Sequence, residues 1–257
     1  NEIISNWKAN GRKPEFVEAH FSKGKVVDVE WVMESSKISR ISFVDMNINE
    51  IDFRGKKLEY SFLDITNSKV ESLSDICTSS FINELHIIGS EIGNLEAVKS
   101  MNKLETFHAN SHQVREYYEY IPSVKKLVVN EPLEEKVEES FNYLSNLGGI
   151  EELELYCSDA GRIPRVIKGE SLTSLSVLSN NTITSYDFIY NFKSLKKLFI
   201  YDFNEDEKEK KHIDINFTLF GNLLELEEVF FNAKTSLDVN ELLNCRNLKT
   251  LFSPWAS

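Results

Sequence analysis

One pattern constrains this chain more than any other. The motif apolar-x-x-apolar-x-apolar appears as Ile38-Ile41-Phe43, Tyr60-Leu63-Ile65, Ile82-Leu85-Ile87, Leu104-Phe107-Ala109 and Val124-Leu127-Val129. It continues as Ile150-Leu153-Leu155, Leu172-Leu175-Val177, Leu195-Leu198-Ile200 and Leu226-Val229-Phe231, and ends incompletely as Leu248-Leu251-Ser253. Successive central residues are 22, 22, 22, 20, 26, 22, 23, 31 and 22 positions apart. Near-constant spacing marks stacked structural units, none of which can bury its apolar face alone. The alternating half of each unit suits a short strand lying parallel to its neighbours.

The remainder of each unit has a different period. Ile92, Leu95, Val98, Met101 and Leu104 follow Leu85, and Val70, Leu73 and Ile76 follow Leu63. A three-residue period drifts around an α-helix of 3.6 residues per turn. It keeps one face only in 3₁₀ turns or extended chain.

Strand and return together resemble the leucine-rich repeat, in the short 22-residue class found in bacterial internalins, over roughly residues 38–253. The resemblance implies an α/β solenoid of about ten repeats, curved, with a parallel sheet on the concave face and 3₁₀ or extended segments on the convex face. One feature departs from that family. An Asn five residues after the central position bonds backbone inside the family's turn, and only Asn180 occupies that place here. Met46, Ser68, Ser90, His112, Pro132, Ser158, Phe203 and Lys234 stand at the others.

Two repeats are enlarged. In Glu131–Leu147, Leu133, Val137, Phe141 and Leu144 have helical spacing between Pro132 and Gly148, which predicts one convex α-helix. The charged run Asn204–His212 cannot enter a core and is expected to project as a loop. Residues 1–37 are read as a separate N-terminal cap, with a short helix at Pro14–Phe21 and a hairpin strand at Val26–Trp31, ahead of a solenoid over 38–257.

In a parallel stack, equivalent residues form ladders about 4.8 Å apart. The positions one before, one after and three after each central residue face outward. On the C-terminal half they bring together Tyr156, Leu178, Phe199, Tyr201, Phe230 and Phe252, with Glu152, Glu154 and Glu228 beside them. Aromatics flanked by charge suit a partner-binding surface. Further forward, Asp64, His86 and His108 share one column next to Glu84. These are metal-ligand types, but parallel side chains would have to converge to share an ion.

The net charge of −12 disfavours nucleic acid and anionic membranes as ligands and favours a basic protein partner. The widely spaced Cys77, Cys157 and Cys245 form neither a disulfide framework nor a zinc pattern, and read as reduced, buried thiols. The first residues show no basic-then-apolar leader, and no catalytic or phosphate-binding motif stands out. The expectation is a cytoplasmic, non-enzymatic bacterial binding protein without cofactor or metal. In general logic it resembles the acidic leucine-rich inhibitors of basic nucleases: an immunity protein that neutralises a basic toxin. The alternatives are an internalin-like surface or secreted module that binds a host protein, and a metal-dependent enzyme using Asp64, His86 and His108.

Overall fold

The computed structural model describes residues 18–22, 39–50, 59–76, 78–131, 144, 148–157, 169–179, 187–202, 217–232, 242 and 244–253. The chain divides into unit 1, comprising Asn1–Ala109 with Glu119–Ser123, and unit 2, comprising Asn110–Tyr118 with Val124–Ser257.

In unit 1 the described strands are β1 (Glu18–Ser22), β2 (Arg40–Val44), β3 (Phe62–Asp64), β4 (Lys69–Ser72), β5 (Glu84–His86), β6 (Glu91–Asn94) and β7 (Thr106–Asn110). β1, β2, β3, β5 and β7 pair in that order, all parallel. The register follows the sequence repeat: Ala19, Ile41, Leu63, Leu85 and Phe107 are Cα partners in turn. These residues, and those two further on, supply the core. Ile41, Leu63, Leu85 and Phe107 are at most 1% exposed, and Phe43, Ile65, Ile87 and Ala109 are fully buried. Burying a large aliphatic or aromatic side chain contributes roughly 1.5–3 kcal/mol, so stacked repeats are stabilised where a single one would not be.

β4 and β6 form a second, two-stranded parallel sheet on the return path. Short 3₁₀ segments at Ile48–Glu50, Ser79–Phe81 and Glu96–Ser100 complete the returns, with a four-residue helix at Leu73–Ile76. Val98, Met101 and Leu104 are buried along one such return, as their three-residue spacing predicts.

The turns after β2, β3 and β5 show what stands in for the missing Asn. Asp45, Asn67 and Gly89 stand four residues after the central position, with φ of 56°, 51° and 71°. This is the left-handed region, which Gly, Asn and Asp tolerate best. At the next position Ser68 donates its hydroxyl to the Phe43 carbonyl at 2.9 Å and accepts from the Met46 N–H at 3.2 Å. Ser90 repeats the arrangement, donating to the Ile65 carbonyl and accepting from the Ser68 N–H at 3.1 Å. Both serines are buried. A hydroxyl that donates and accepts at once replaces the Asn amide and ties each turn to the repeat before it.

In unit 2 the described strands are β8 (Lys126–Asn130), β9 (Glu152–Cys157), β10 (Ser174–Ser179), β11 (Lys197–Asp202), β12 (Glu228–Asn232) and β13 (Thr250–Phe252). They pair in chain order, all parallel. Leu127, Leu153, Leu175, Leu198, Val229 and Leu251 form the central ladder. Leu127, Leu153, Leu175 and Leu198 are at most 2% exposed, so the predicted register holds on both sides of the 26-residue spacing. Segments of 3₁₀ helix at Asp187–Asn191 and Phe217–Asn222 form two of the returns, burying Phe188, Ile189 and Phe220.

The structure corrects the sequence reading in two places. Residues 18–21, expected in a helix, form β1, which pairs with β2 at the standard 22-residue offset. The ladder therefore reaches back to Glu18, and what decides is the stacking of Phe21 on Phe43 at 5.3 Å, a tertiary contact rather than a local preference. An unforeseen helix, Ser111–Tyr117, also fills the return where the repeat is only 20 residues long. It starts with a reciprocal capping box between Asn110 and Gln113, in which the Asn110 N–H donates to Gln113 Oε1 at 2.9 Å. Val26–Trp31 and Asn204–His212 lie outside the described residues, as does most of the helix expected at Glu131–Leu147, of which Glu131 and Leu144 are described, both buried.

Candidate functional site

Period-two alternation turns three rows of side chains outward from the sheet of unit 2. β10 shows it plainly: Leu175, Val177 and Ser179 are buried, while Ser174, Ser176 and Leu178 are partly exposed. Register then aligns Val128, Glu154, Ser176, Phe199, Phe230 and Phe252 in one row. A second row holds Asn130, Tyr156, Leu178, Tyr201 and Asn232.

The aromatic members of the first row stack on one another. Phe199 and Phe230 have ring centroids 4.4 Å apart with planes 9° apart, and Phe230 and Phe252 follow at 4.6 Å and 9°. Tyr201 lies alongside, 6.2 Å from Phe199 and 6.5 Å from Phe230. The spacing is the inter-strand distance of a parallel sheet, so the backbone sets the stack and the rings need no adjustment. Phe252 is 50% exposed, while Phe199, Phe230, Tyr201, Tyr156 and Leu178 are half-buried.

The carboxylates of this face divide into two kinds. Glu228 pairs with Lys197 at 3.3 Å and Glu152 with Lys126 at 3.7 Å, both as cross-strand neighbours. Glu154 accepts a hydrogen bond from the Tyr156 phenol, whose pKa is pushed up to about 12, first by burial and then by that carboxylate. All nine residues expected to meet a partner therefore lie on one face of unit 2. Two of its three carboxylates are already matched by lysines.

On unit 1 the outward face carries a charged network that sequence reasoning missed. Arg40 pairs with Glu18 at 3.2 Å and with Glu84 at 3.4 Å, and its guanidinium lies 3.7 Å above the Phe62 ring. Its partners are 22 and 44 residues away, so only the repeat register could have revealed them. Glu18, His20, Arg40, Ser42, Phe62 and Asp64 border a recess of about 200 Å³.

The column of candidate metal ligands lies on the same face but does not converge. His86 and His108 stack with centroids 3.7 Å apart and planes 8° apart. The Asp64 carboxylate accepts from the Ser42 hydroxyl at 2.6 Å and the Thr66 N–H at 2.9 Å, and His86 Nε2 lies 3.0 Å from Glu84 Oε1. Burial pushes the His86 pKa down, and the carboxylates of Asp64 and Glu84 partly offset this. Among the described residues no group of three or more His, Cys, Asp and Glu could hold a metal ion. Cys245, the one cysteine with a described side chain, is a free buried thiol. Its S–H donates to the Phe220 carbonyl at 3.3 Å, and burial pushes its pKa up. No helix among the described residues is long and apolar enough to cross a membrane.

No family model and no curated protein matches this sequence. Among solved structures the chain is similar to an internalin (inlF) from Listeria monocytogenes, with a TM-score of 0.58 and 14% identity over 94% of this chain and 68% of that one. A second Listeria monocytogenes internalin (inlC2) gives a TM-score of 0.46 and 16% identity, over 74% of this chain and 80% of that one. The strand ladders, the 22-residue register and the likeness to the first of these structures agree: the chain has the leucine-rich repeat fold, of the short class seen in internalins.

Proposed function

We propose that this protein acts by binding another protein through the outward face of unit 2, and not by catalysis. The observation that carries this reading is the stacked column of Phe199, Phe230 and Phe252, which is open to solvent at Phe252. Rings fixed by strand register lose little side-chain freedom on binding, so most of their contact energy goes into affinity. Contiguous exposed apolar surface of this kind marks interaction sites, and aromatics surrounded by polar groups dominate measured interfaces.

In its finer form the proposal is a cytoplasmic inhibitor, an immunity protein that neutralises a basic toxin such as a nuclease. The net charge of −12 supports it by accelerating encounter with a basic protein. Lys126 and Lys197 offset Glu152 and Glu228 locally, so in this reading steering comes from the whole chain's charge and from Glu154. The fold likeness to an internalin favours a second reading, a surface or secreted module that binds a host protein.

The test measures binding of the purified chain to a basic toxin domain and to an extracellular host receptor, each at two salt concentrations. Binding to the toxin domain that weakens as salt rises supports the inhibitor. Salt-insensitive binding to the receptor alone supports the surface module. If Phe252→Ala binds either partner as tightly as the parent does, the face assignment fails.

A further inference from the structure

His86 occupies the middle of the outward face of unit 1. β5 carries it between β3 and β7, with Asp64 in register on one side and His108 on the other. Its ring lies flat against His108 at 3.7 Å and edge-on to Phe62 at 4.8 Å. Its Nε2 meets one carboxylate oxygen of Glu84 at 3.0 Å, and Arg40 Nη1 donates to the other at 3.4 Å. The titratable and charged groups facing His86 are thus Asp64 from β3, Glu84 from its own strand, Arg40 from β2 and His108 from β7. Its side chain keeps 20% of its surface exposed, so a proton can reach it from solvent.

We propose that His86 is a pH-sensitive switch: as a neutral ring it stacks on His108 and shares Glu84 with Arg40, and on gaining a proton it reorganises both contacts. The two contacts respond for separate reasons. Charge on His86 turns the ring pair from a neutral stack into one that repels any charge on His108 across 3.7 Å. The same charge strengthens the short His86–Glu84 contact and repels the Arg40 guanidinium on the other oxygen of that carboxylate. Arg40 then leans on Glu18 and on the Phe62 ring, so the change spreads along the border of the recess. Burial favours the neutral His86 ring, and the carboxylates of Asp64 and Glu84 partly offset it. A face that sets Glu18, Asp64 and Glu84 against Arg40 thereby gains one positive charge. The switch concerns unit 1 and does not depend on the partner-binding role proposed for unit 2.

The test is an NMR titration of the full chain from about pH 8 to about pH 5, with ring signals assigned through His86→Gln and His108→Gln. His86 is expected to titrate below the ordinary histidine midpoint of about 6.5, with His108 ring and Arg40 side-chain signals moving at that same midpoint. In His86→Gln that shared movement disappears. Should the variant fail to fold, the shared midpoint in the parent still decides. The switch is overturned if His86 titrates without a response from Arg40 and His108, if their response survives in His86→Gln, or if His86 stays neutral until the protein unfolds.

Discussion

Phe230 lies between two parallel rings, Phe199 at 4.4 Å and Phe252 at 4.6 Å, both with planes 9° from its own. It also stacks on Tyr201 at 6.5 Å, while Phe252, among the described residues, stacks on Phe230 alone and is 50% exposed. Each aromatic pair contributes about 0.5–1.5 kcal/mol beyond its buried area. Phe230→Ala is therefore expected to lower stability more than Phe252→Ala, by roughly the contribution of its additional pairs with Phe199 and Tyr201. Urea denaturation of both variants checks the order, and equal losses would show that stacking adds nothing to the fold.

Ser90 holds two bonds within one buried turn, to the Ile65 carbonyl and from the Ser68 N–H. Ser90→Ala leaves both backbone groups without that hydroxyl, at a cost of about 1–3 kcal/mol for each group left buried and unsatisfied. Ser90→Asn, which restores an amide of the family's usual kind, should lose less. Midpoints of chemical denaturation rank the two.

Gly93 is needed for a different reason from Gly89. A Cβ on Gly93 would sit 2.8 Å from the backbone carbonyl oxygen of Glu71, which cannot swing away as a side chain can. At Gly89 the obstruction is the movable Asn67 side chain, and the main difficulty is the φ of 71°. Left-handed backbone costs a non-glycine residue about 1–2 kcal/mol. Gly89→Ala should lose about that much, and Gly89→Asn less. Gly93→Ala should separate β4 from β6, seen as faster amide exchange at Lys69–Ser72.

Stability should also depend on pH through His86. Burial lowers its pKa in the folded state, so the unfolded chain takes up the proton first as pH falls. Stability therefore drops from about pH 6.5 downward and levels off once the folded His86 is also protonated. Well above about pH 6.5, where neither state holds the proton, the residue contributes no slope. His86→Gln should flatten this part of the stability profile, and an unchanged slope below pH 6.5 would assign it to other groups.

The sequence recorded the fold where residue type reports burial. A core position needs an apolar side chain, so Ile41, Leu63, Leu85 and Leu127 revealed the register directly, and the outward rows followed by alternation. β1 was harder to read because its central residue is Ala19, too small to mark the ladder, and its neighbours also fit a helical pattern. Ser68 and Ser90 depart from the family's Asn in residue identity but keep its capacity to donate and accept within the turn. The helix Ser111–Tyr117 had one local signal, the pairing of Asn110 with Gln113. The Arg40 network had none, since a long side chain's partners are chosen by tertiary packing. The aromatic column was legible because three phenylalanines fell on one register position.

The most direct test of the central claim compares partner affinity for the parent chain and for Phe252→Ala by calorimetry. Phe252 is half exposed and stacks on one ring, so its truncation disturbs the fold least among the column residues. The binding face proposed for unit 2 predicts a loss of about 2 kcal/mol or more, carried mainly by faster dissociation. An unchanged affinity, with the folded structure intact, would contradict it.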